Sequence, residues 1–496
     1  MVDYSCYLVT DSSLVHHSRN LVDTVQQAVD AGVTIVQLRE KELETGAFIE
    51  LARKLLEITK KANIPLLIND RVDVALAVDA DGVHIGQDDM PLSIARRLLG
   101  NGKIIGVTAA TIEEAKVAVE NGADYIGIGA CFGTSTKKLK KIPMGPRGVL
   151  EILEALPANA KAVTIGGINS SNAERVIRHS HGSDGRKLEG VAVVSDIVAA
   201  ENVPEKVAEL KQAIARGFIN TVPASIYPDE LKLKVAQVFD KLRATSPLVH
   251  HITNFVVMND TANATLALGG SPIMAQNIEE VHELGKFVGS LLLNIGTLNN
   301  EFVTGMVGAG KAANKNRTPI ILDPVGAGAS SLRKSTMKLL TDSLDIGIVK
   351  GNAGEISCLA GTGEVEMRGV DSVGGTNDGA SMVTRTSKLE KSVIAMTGVV
   401  DYVSDGHRTY SIHNGHEYLG KITGSGCMAT TAIACYAADD LLVAAIAGLA
   451  SMGVAAEYAA KRSDVNGPNT FKAALIDELH NLTAEKLLQS LKLQKC

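Results

Sequence analysis

The sequence predicts an α/β chain in two parts, a (β/α)8 barrel first and an open-sheet α/β domain after it. Three observations predict this. Eight short, β-branched, near-continuously apolar runs alternate with amphipathic stretches through the first half. The stretch 216–228, RGFINTVPASIYP, carries two prolines and no clear period, as a linker does. Beyond it the apolar runs are fewer and less regular than a barrel needs. The length of 496 residues agrees. It suits three domains of roughly 150 residues, or two of about 220 and 270 if a barrel of about 200–250 counts as one. The expected boundaries are 1–220 for the barrel, 221–228 for the linker and 229–496 for the second domain.

The barrel strands are expected at Cys6–Thr10, Thr34–Leu38, Pro65–Asn69, Gly82–Gly86, Lys103–Val107, Tyr125–Gly129, Ala162–Gly166 and Gly190–Val194. Between them, segments such as Leu21–Ala31, Thr45–Asn63 and Thr111–Gly122 repeat apolar residues at helical spacing and often end in Gly. AGVTIVQLRE and NGADYIGIGA both show the helix–Gly–strand join of a βαβ unit. Eight such units favour a closed TIM barrel over an open doubly wound sheet. After the linker come a helix over Leu231–Arg243 and strands at Leu291–Ile295, Pro319–Leu322, Ile346–Val349 and Val393–Met396.

Composition excludes several classes of function. A formal charge of −6, from 49 basic and 55 acidic residues, lacks the basic excess of a general nucleic-acid or acidic-membrane binder. With no Trp, 8 Phe and 9 Tyr there is little material for base-stacking platforms. Six scattered cysteines without a CxxC argue against a disulfide framework or a structural zinc site, and for a reducing cytosol. The N-terminus lacks a signal-peptide core. Leu441–Ala460 imitates a membrane span, but its Ala, Gly and Val content suits a buried helix better.

A barrel places its chemistry at the carboxyl ends of its strands, and polar residues gather there. Gln37, Arg39 and Lys41 follow strand two; Asn69 and Asp70 follow strand three; Gln87, Asp88 and Asp89 follow strand four; Thr108 follows strand five. GTSTKK follows strand six, Gly166 and Gly167 close strand seven, and Val194 and Ser195 close strand eight. Strand alternation puts Arg39 and Lys41 on one side, where with Lys137 they offer three cations to a polyanion. Asp70 and Asp89 are hard oxygen ligands of the kind Mg²⁺ takes beside phosphate. The Gly pair lets backbone N–H groups approach a second phosphate. Singly, each has a bland reading: a solvated strand end, a helix cap, or, for Lys137–Lys141, a solvated face. Their gathering on one rim favours a site.

The motifs QLREK, IND, HIGQDD, GTSTKK, TIGGI and VAVVS resemble thiamine-phosphate synthase from about residue 5 to 215. The resemblance implies that Gln37, Arg39, Lys41, Asn69, Thr108 and Lys137 hold a hydroxymethylpyrimidine diphosphate, and that Asp70 and Asp89 bind Mg²⁺. Thr134, Ser135, Thr136, Gly167, Val194 and Ser195 would contact a thiazole phosphate. Thr108 replaces the family's usual Ser and keeps its hydroxyl, and CFG precedes Thr134 where a Pro-rich loop is usual. The implied reaction is a dissociative displacement in which pyrophosphate leaves and no protein nucleophile is needed.

Three motifs carry chemistry in the second half. In LDPVGAGASSLR, Asp323 ends a strand and Arg333 is placed to reach a phosphate. In KGNAGEI, Asn352 and Glu355 are spaced to hold water around Mg²⁺. TGSGCMATTAIACYAA is a Gly-rich turn opening a helix, whose N–H groups over Gly424–Cys427 point at an anion. A thiol at such a position is expected to be partly ionised, which would apply to Cys427. Cys435 reads as inert packing, His250, His251 and His282 as capping or surface residues, and Asp401 and Asp405 as turn residues. Gly361–Lys391 reads as a mobile loop near the nucleotide.

These motifs, with ITNFVVMNDTANATLALGGSPIMA, resemble hydroxyethylthiazole kinase, a ribokinase-like fold, over about residues 230 to 490. By that resemblance Met274 and Gly424 border the thiazole alcohol, Arg333 and Thr397 contact ATP, Glu355 organises Mg²⁺, and Cys427 occupies the catalytic position where related kinases carry Asp. The product of the second half would be a substrate of the first. A bifunctional enzyme of thiamine biosynthesis is therefore expected, with ATP as co-substrate, Mg²⁺ as cofactor, and neither nucleic acid nor membrane as partner. A homo-oligomer is also expected, with trimeric kinase contacts or a hexamer. The rivals are a non-catalytic precursor sensor, which would lack the acidic pair or the anion turn, and a tautomerase-like barrel, which would handle no diphosphate.

Overall fold

The computed structural model describes the chain except residues 1, 135, 137–141, 183–184, 220–222, 224, 362–365, 369–370, 374–377 and 438–439; of 366–368 and 371–373 it describes the backbone alone. The expected contacts of Ser135 and Lys137 lie outside the described residues. The chain divides into two compact units, Met1–Thr221 and Val222–Cys496.

In the first unit all eight anticipated strands form and close in chain order: β1 (Cys6–Val9), β2 (Ile35–Leu38), β3 (Leu66–Asn69), β4 (Gly82–Ile85), β5 (Ile104–Ala109), β6 (Tyr125–Gly129), β7 (Ala162–Ile165) and β8 (Gly190–Val193). Every pairing in the barrel is parallel. Strand alternation separates two cores. Leu8, Val36, Leu38, Leu66 and Ile68 point outward into the layer beneath the helices. Tyr7, Val9, Ile35, Leu67 and Tyr125 point inward. β5 runs past the expected Val107 to Ala109, so Thr108 lies within the strand, paired with Gly127. Helix starts are fixed by side-chain caps, Asn20 before Leu21–Asp30 and Thr111 before Ile112–Glu120.

The second unit holds more strands than its sequence pattern suggested. Nine form one sheet in the order β10 (Ser271–Ile273), β9 (Leu248–Ile252), β11 (Ser290–Asn294), β12 (Ile320–Asp323), β13 (Ile348–Asn352), β16 (Val393–Thr397), β17 (Asp401–Ser404), β18 (Thr409–Ile412) and β19 (Leu493–Lys495). A separate two-stranded antiparallel sheet pairs β14 (Glu366–Arg368) with β15 (Asp371–Val373). The four anticipated strands lie within one to three residues of their places. The missed ones are short, or carry polar residues inside the strand, so they give no apolar run.

Other expectations need correction for the same reason. His250 and His251 are buried in β9, neither capping nor on the surface; their Nε2 atoms meet the Ala275 carbonyl at 2.7 Å and Thr265 Oγ1 at 3.2 Å. Asp401 begins β17 and also closes the bend before it, its Oδ1 accepting from the Gly398 N–H at 3.0 Å, and Asp405 holds the next turn by accepting from the N–H groups of His407 and Arg408. Of the supposed loop Gly361–Lys391, Gly379–Glu390 is a helix with Met382 and Val383 buried beneath it. The helix Leu441–Ala460 is long and apolar enough to cross a membrane, yet is largely buried within the unit. Its neighbour begins at Pro228, earlier than expected, and Ile226 already packs in this unit's core, its carbonyl accepting from the Tyr410 hydroxyl at 2.6 Å.

Candidate active sites

On the barrel rim, β3 and β4 bring two carboxylates together. Asp70 adopts a left-handed backbone conformation (φ 60°) at the end of β3. Asp89 curls back after β4, its Oδ2 accepting from the Gly86 N–H at 2.7 Å. Burial, then the adjoining Asp89, raise the Asp70 carboxyl to about 6, with Lys41 at 3.6 Å pulling the other way. A carboxylate whose ionisation is held back by a neighbouring carboxylate fits a divalent cation, which removes that repulsion. Among the described residues no group of three or more His, Cys, Asp or Glu forms a metal cage. A cation here would complete its shell with water and substrate oxygens, as Mg²⁺ does.

The cations of this rim are differently placed than alternation implied. β2 ends at Leu38, so Arg39 and Lys41 lie beyond the strand and the period-two argument does not reach them. Arg39 pairs with Asp11 at 3.2 Å, a partner that sequence reading missed, and Lys41 turns to Asp70. Asn69 borders Asp70 and helps hold its carboxylate ionised. Gln37 points into the barrel and is buried, its Nε2 donating to the Tyr7 hydroxyl at 2.7 Å. Across the rim, Thr134 Oγ1 accepts from the Thr136 N–H at 3.2 Å. Gly166 and Gly167 both have positive φ (103° and 63°), and a Cβ on Gly167 would lie 2.5 Å from the Gly133 carbonyl oxygen. Only glycine fits that turn. Val194 and Ser195 follow β8, with Ser195 exposed.

In the second unit the candidate residues stand at the carboxyl ends of the parallel strands, where open α/β sheets bind ligands. Asn294 ends β11 opposite Asp323 of β12, and Asn352 ends β13 opposite Thr397 of β16. Asn294 Nδ2 donates to Asp323 Oδ2 at 3.0 Å and to Cys427 Sγ at 3.2 Å. Thr430 Oγ1 donates to the same Asp323 oxygen at 2.7 Å, while the buried Oδ1 has no hydrogen-bond partner among the described residues. Asn254 reaches Asn294 Oδ1 at 2.9 Å and Cys427 Sγ at 3.6 Å.

Gly424 is left-handed (φ 89°) and opens the helix Ser425–Tyr436. The first N–H groups of that helix lack intrahelical acceptors and carry its positive end. Beneath them lies Lys350, 4% exposed, whose Nζ would be 3.1 Å from a Cβ on Gly426. Burial alone would lower this ammonium, but Asp323, Glu355, Cys427 and Asp401 around it hold it above its ordinary value. The sequence signal was available: a lysine inside the apolar run IGIVKGN has no solvated face to occupy.

Two expectations change. The Cys427 thiol is pushed up to about 12, first by burial and then by the Asp323 charge, so it stays protonated at neutral pH where its helix position alone predicted partial ionisation. Glu355 forms a capping box with Asn352, its Oε2 accepting from the Asn352 N–H and its Oε1 from the Gly326 N–H, each at 2.8 Å. Burial and the Asp323 charge raise its carboxyl to about 7. Arg333 donates to the carbonyls of Ile295, Val325 and Gly296 and so braces the loop after β12. Thr397 Oγ1 reaches the Gly351 carbonyl at 3.5 Å, and Met274 lies half-buried just after β10.

Comparison with known proteins joins the two halves. A family model described as thiamine monophosphate synthase matches residues 6–197, and one described as hydroxyethylthiazole kinase family matches residues 239–485. A "Probable thiamine biosynthetic bifunctional enzyme" of Schizosaccharomyces pombe is 41% identical over 98% of this chain and 96% of its own. A "Thiamine biosynthetic bifunctional enzyme" of Saccharomyces cerevisiae is 37% identical with the same coverage, 98% and 96%. A "Hydroxyethylthiazole kinase" of Roseiflexus sp. is 47% identical over 52% of this chain and 96% of its own.

Proposed function

The chain belongs to the thiamine biosynthetic bifunctional enzymes, and from that membership we propose how its two sites divide the work. It is a bifunctional transferase with a thiamine-phosphate synthase domain and a hydroxyethylthiazole kinase domain, the kinase taking ATP as co-substrate. Its synthase spans 1–220 and its kinase 229–496, with 221–228 between them. The enzyme works in the cytoplasm as a homo-oligomer with trimeric kinase contacts.

At the kinase site the thiazole alcohol lies between Met274, Gly424 and Cys427. Arg333 and Thr397 flank the nucleotide. The N–H groups of Gly424–Cys427 and the Lys350 ammonium face the phosphoryl group in transit, where fixed donors in a dry site act most strongly. Cys427 touches the alcohol as a protonated thiol, so most of the effect rests on those donors. Glu355 holds water toward Mg²⁺.

At the synthase site Asn69, Arg39, Lys41 and Lys137 hold the diphosphate, and Gln37 and Thr108 hold the pyrimidine. Asp70 and Asp89 hold Mg²⁺, which when bound offsets charge on the leaving pyrophosphate. Thr134, Ser135, Thr136, Gly167, Val194 and Ser195 receive the thiazole phosphate, whose ring nitrogen captures the pyrimidine methylene cation.

The observation that carries this reading is the pairing of Asp70 with Asp89 on a rim that also holds Arg39 and Lys41. A sensor or an isomerase has no use for such a diphosphate-and-metal set. The test is to incubate the pure protein with ATP, Mg²⁺, hydroxyethylthiazole and the pyrimidine diphosphate. Thiamine phosphate is expected, and omission of ATP should abolish it unless thiazole phosphate is supplied. Failure to form it from thiazole phosphate would refute the synthase reading.

A further inference from the structure

A row of polar side chains crosses the otherwise apolar interior of the barrel. Gln37 Nε2 donates to the Tyr7 hydroxyl at 2.7 Å, and that hydroxyl meets the Tyr125 hydroxyl at 2.7 Å. Tyr125 meets His84 Nδ1 at 2.7 Å, and His84 Nε2 meets Thr108 Oγ1 at 2.8 Å. Five strands, β2, β1, β6, β4 and β5, contribute one residue each. Two glycines make room for it: a Cβ on Gly106 would lie 2.1 Å from Tyr125 Cζ, and one on Gly127 would lie 2.9 Å from His84 Cε1. Burial raises both phenols far above their ordinary values, so they remain neutral donors. An apolar core would avoid the desolvation cost of such a row, so its presence calls for a use.

The row runs one way. The Gln37 nitrogen can only donate, so Tyr7 accepts there, and among the described residues its own buried hydroxyl hydrogen has no acceptor but Tyr125. Tyr125 then donates to His84 Nδ1, which leaves the imidazole proton on Nε2, donated to Thr108. Thr108 accepts that proton and turns its own hydroxyl hydrogen elsewhere. At the other end the Gln37 amide keeps its oxygen as an acceptor and its second N–H as a donor. Of the two ends of the row, both assigned above to the pyrimidine pocket, Gln37 can therefore take either role, while Thr108 has a hydroxyl hydrogen to donate.

We infer that Tyr7, Tyr125 and His84 are positioning residues that fix the Thr108 hydroxyl as a donor, so that the pocket selects an aminopyrimidine over its oxo counterpart. An aminopyrimidine offers an N–H donor and a ring-nitrogen acceptor, complementary to Gln37 and Thr108. The oxo form offers a carbonyl, which the second Gln37 N–H can meet, and a ring N–H, which leaves the Thr108 hydroxyl hydrogen without an acceptor. This rests on the proposed placement of the pyrimidine at Gln37 and Thr108.

The experiment compares the full-length wild type with Tyr125→Phe, using the aminopyrimidine diphosphate and its oxo analogue as competing substrates. Nitrogen NMR of the His84 ring is recorded in the wild type. The expected result is a proton on His84 Nε2, and in Tyr125→Phe a loss of about tenfold in selectivity for the amino form. The KM for thiazole phosphate should stay unchanged, which a general loss of barrel structure would not allow. If Thr108→Val weakens pyrimidine binding while Tyr125→Phe keeps full selectivity, the row has no positioning role. If Thr108→Val leaves pyrimidine KM untouched, the pocket placement itself fails, and this inference with it. Should Tyr125→Phe not fold, the wild-type ring decides: a proton on Nε2 supports the inference and one on Nδ1 overturns it.

Discussion

The two proposed sites gather charge by opposite means. On the barrel rim the charges are side chains at the solvent boundary: Lys41 is half exposed beside a partly buried Asp70, and Arg39 leans on Asp11. In the second unit the cation is a wholly buried lysine, ringed by carboxylates and capped by a helix end. A rim charge can be removed with little effect on folding, because water replaces the lost partner. A buried one cannot, because its partners are left charged and dry. The rim suits charge that moves with a departing pyrophosphate, and the buried set suits phosphoryl transfer between fixed groups.

The largest expected effect tests the buried set. Lys350→Met should abolish kinase activity and destabilise the second unit by about 3–5 kcal/mol, the cost of stranding a buried charge. Calorimetry of the full chain would read the lower transition, while synthase activity persists. A stable, active variant would show that the lysine is no part of the site. Next, Asp70→Asn should cut synthase turnover by several kcal/mol in barrier at saturating substrate. It should leave folding and kinase activity alone, and unchanged turnover would remove the metal assignment.

Gly424→Ala comes third. A left-handed position costs a side chain about 1–2 kcal/mol, and the new Cβ would meet Val257 Cγ1 at 2.7 Å. Weaker ATP and alcohol binding is expected from steady-state kinetics, with a small drop in melting temperature. The smallest effect concerns the thiol. Since burial and Asp323 raise Cys427 to about 12, its thiolate fraction is small at neutral pH and grows with pH. Alkylation of Cys427, followed by peptide mass spectrometry, should climb about tenfold per pH unit from about pH 7 to 9.5. A plateau near neutral pH would mean the helix end wins over burial.

Much of this was legible in sequence, for reasons that differ by region. The barrel strands are buried on both faces and read as continuous apolar runs, so all eight were found. The rim residues were legible as polar groups at the ends of those runs. What stayed hidden depends on pairing across the fold. Nothing near Arg39 in sequence points to Asp11, and nothing links Tyr7, His84 and Tyr125 until the barrel closes. In the second unit β9 hides because LVHHI looks polar until both histidines find buried partners. The protonation of Cys427 is not legible in sequence, because its helix position is visible there and the neighbouring carboxylate is not.

The central claim is that each unit holds a complete phosphate site of its own. It is tested most directly by mixing two full-length variants, Asp70→Asn and Asp323→Asn, with ATP, Mg²⁺, hydroxyethylthiazole and the pyrimidine diphosphate. Each variant alone should perform only one half-reaction, and the mixture should restore thiamine phosphate formation. Loss of both half-reactions in either single variant would contradict the account.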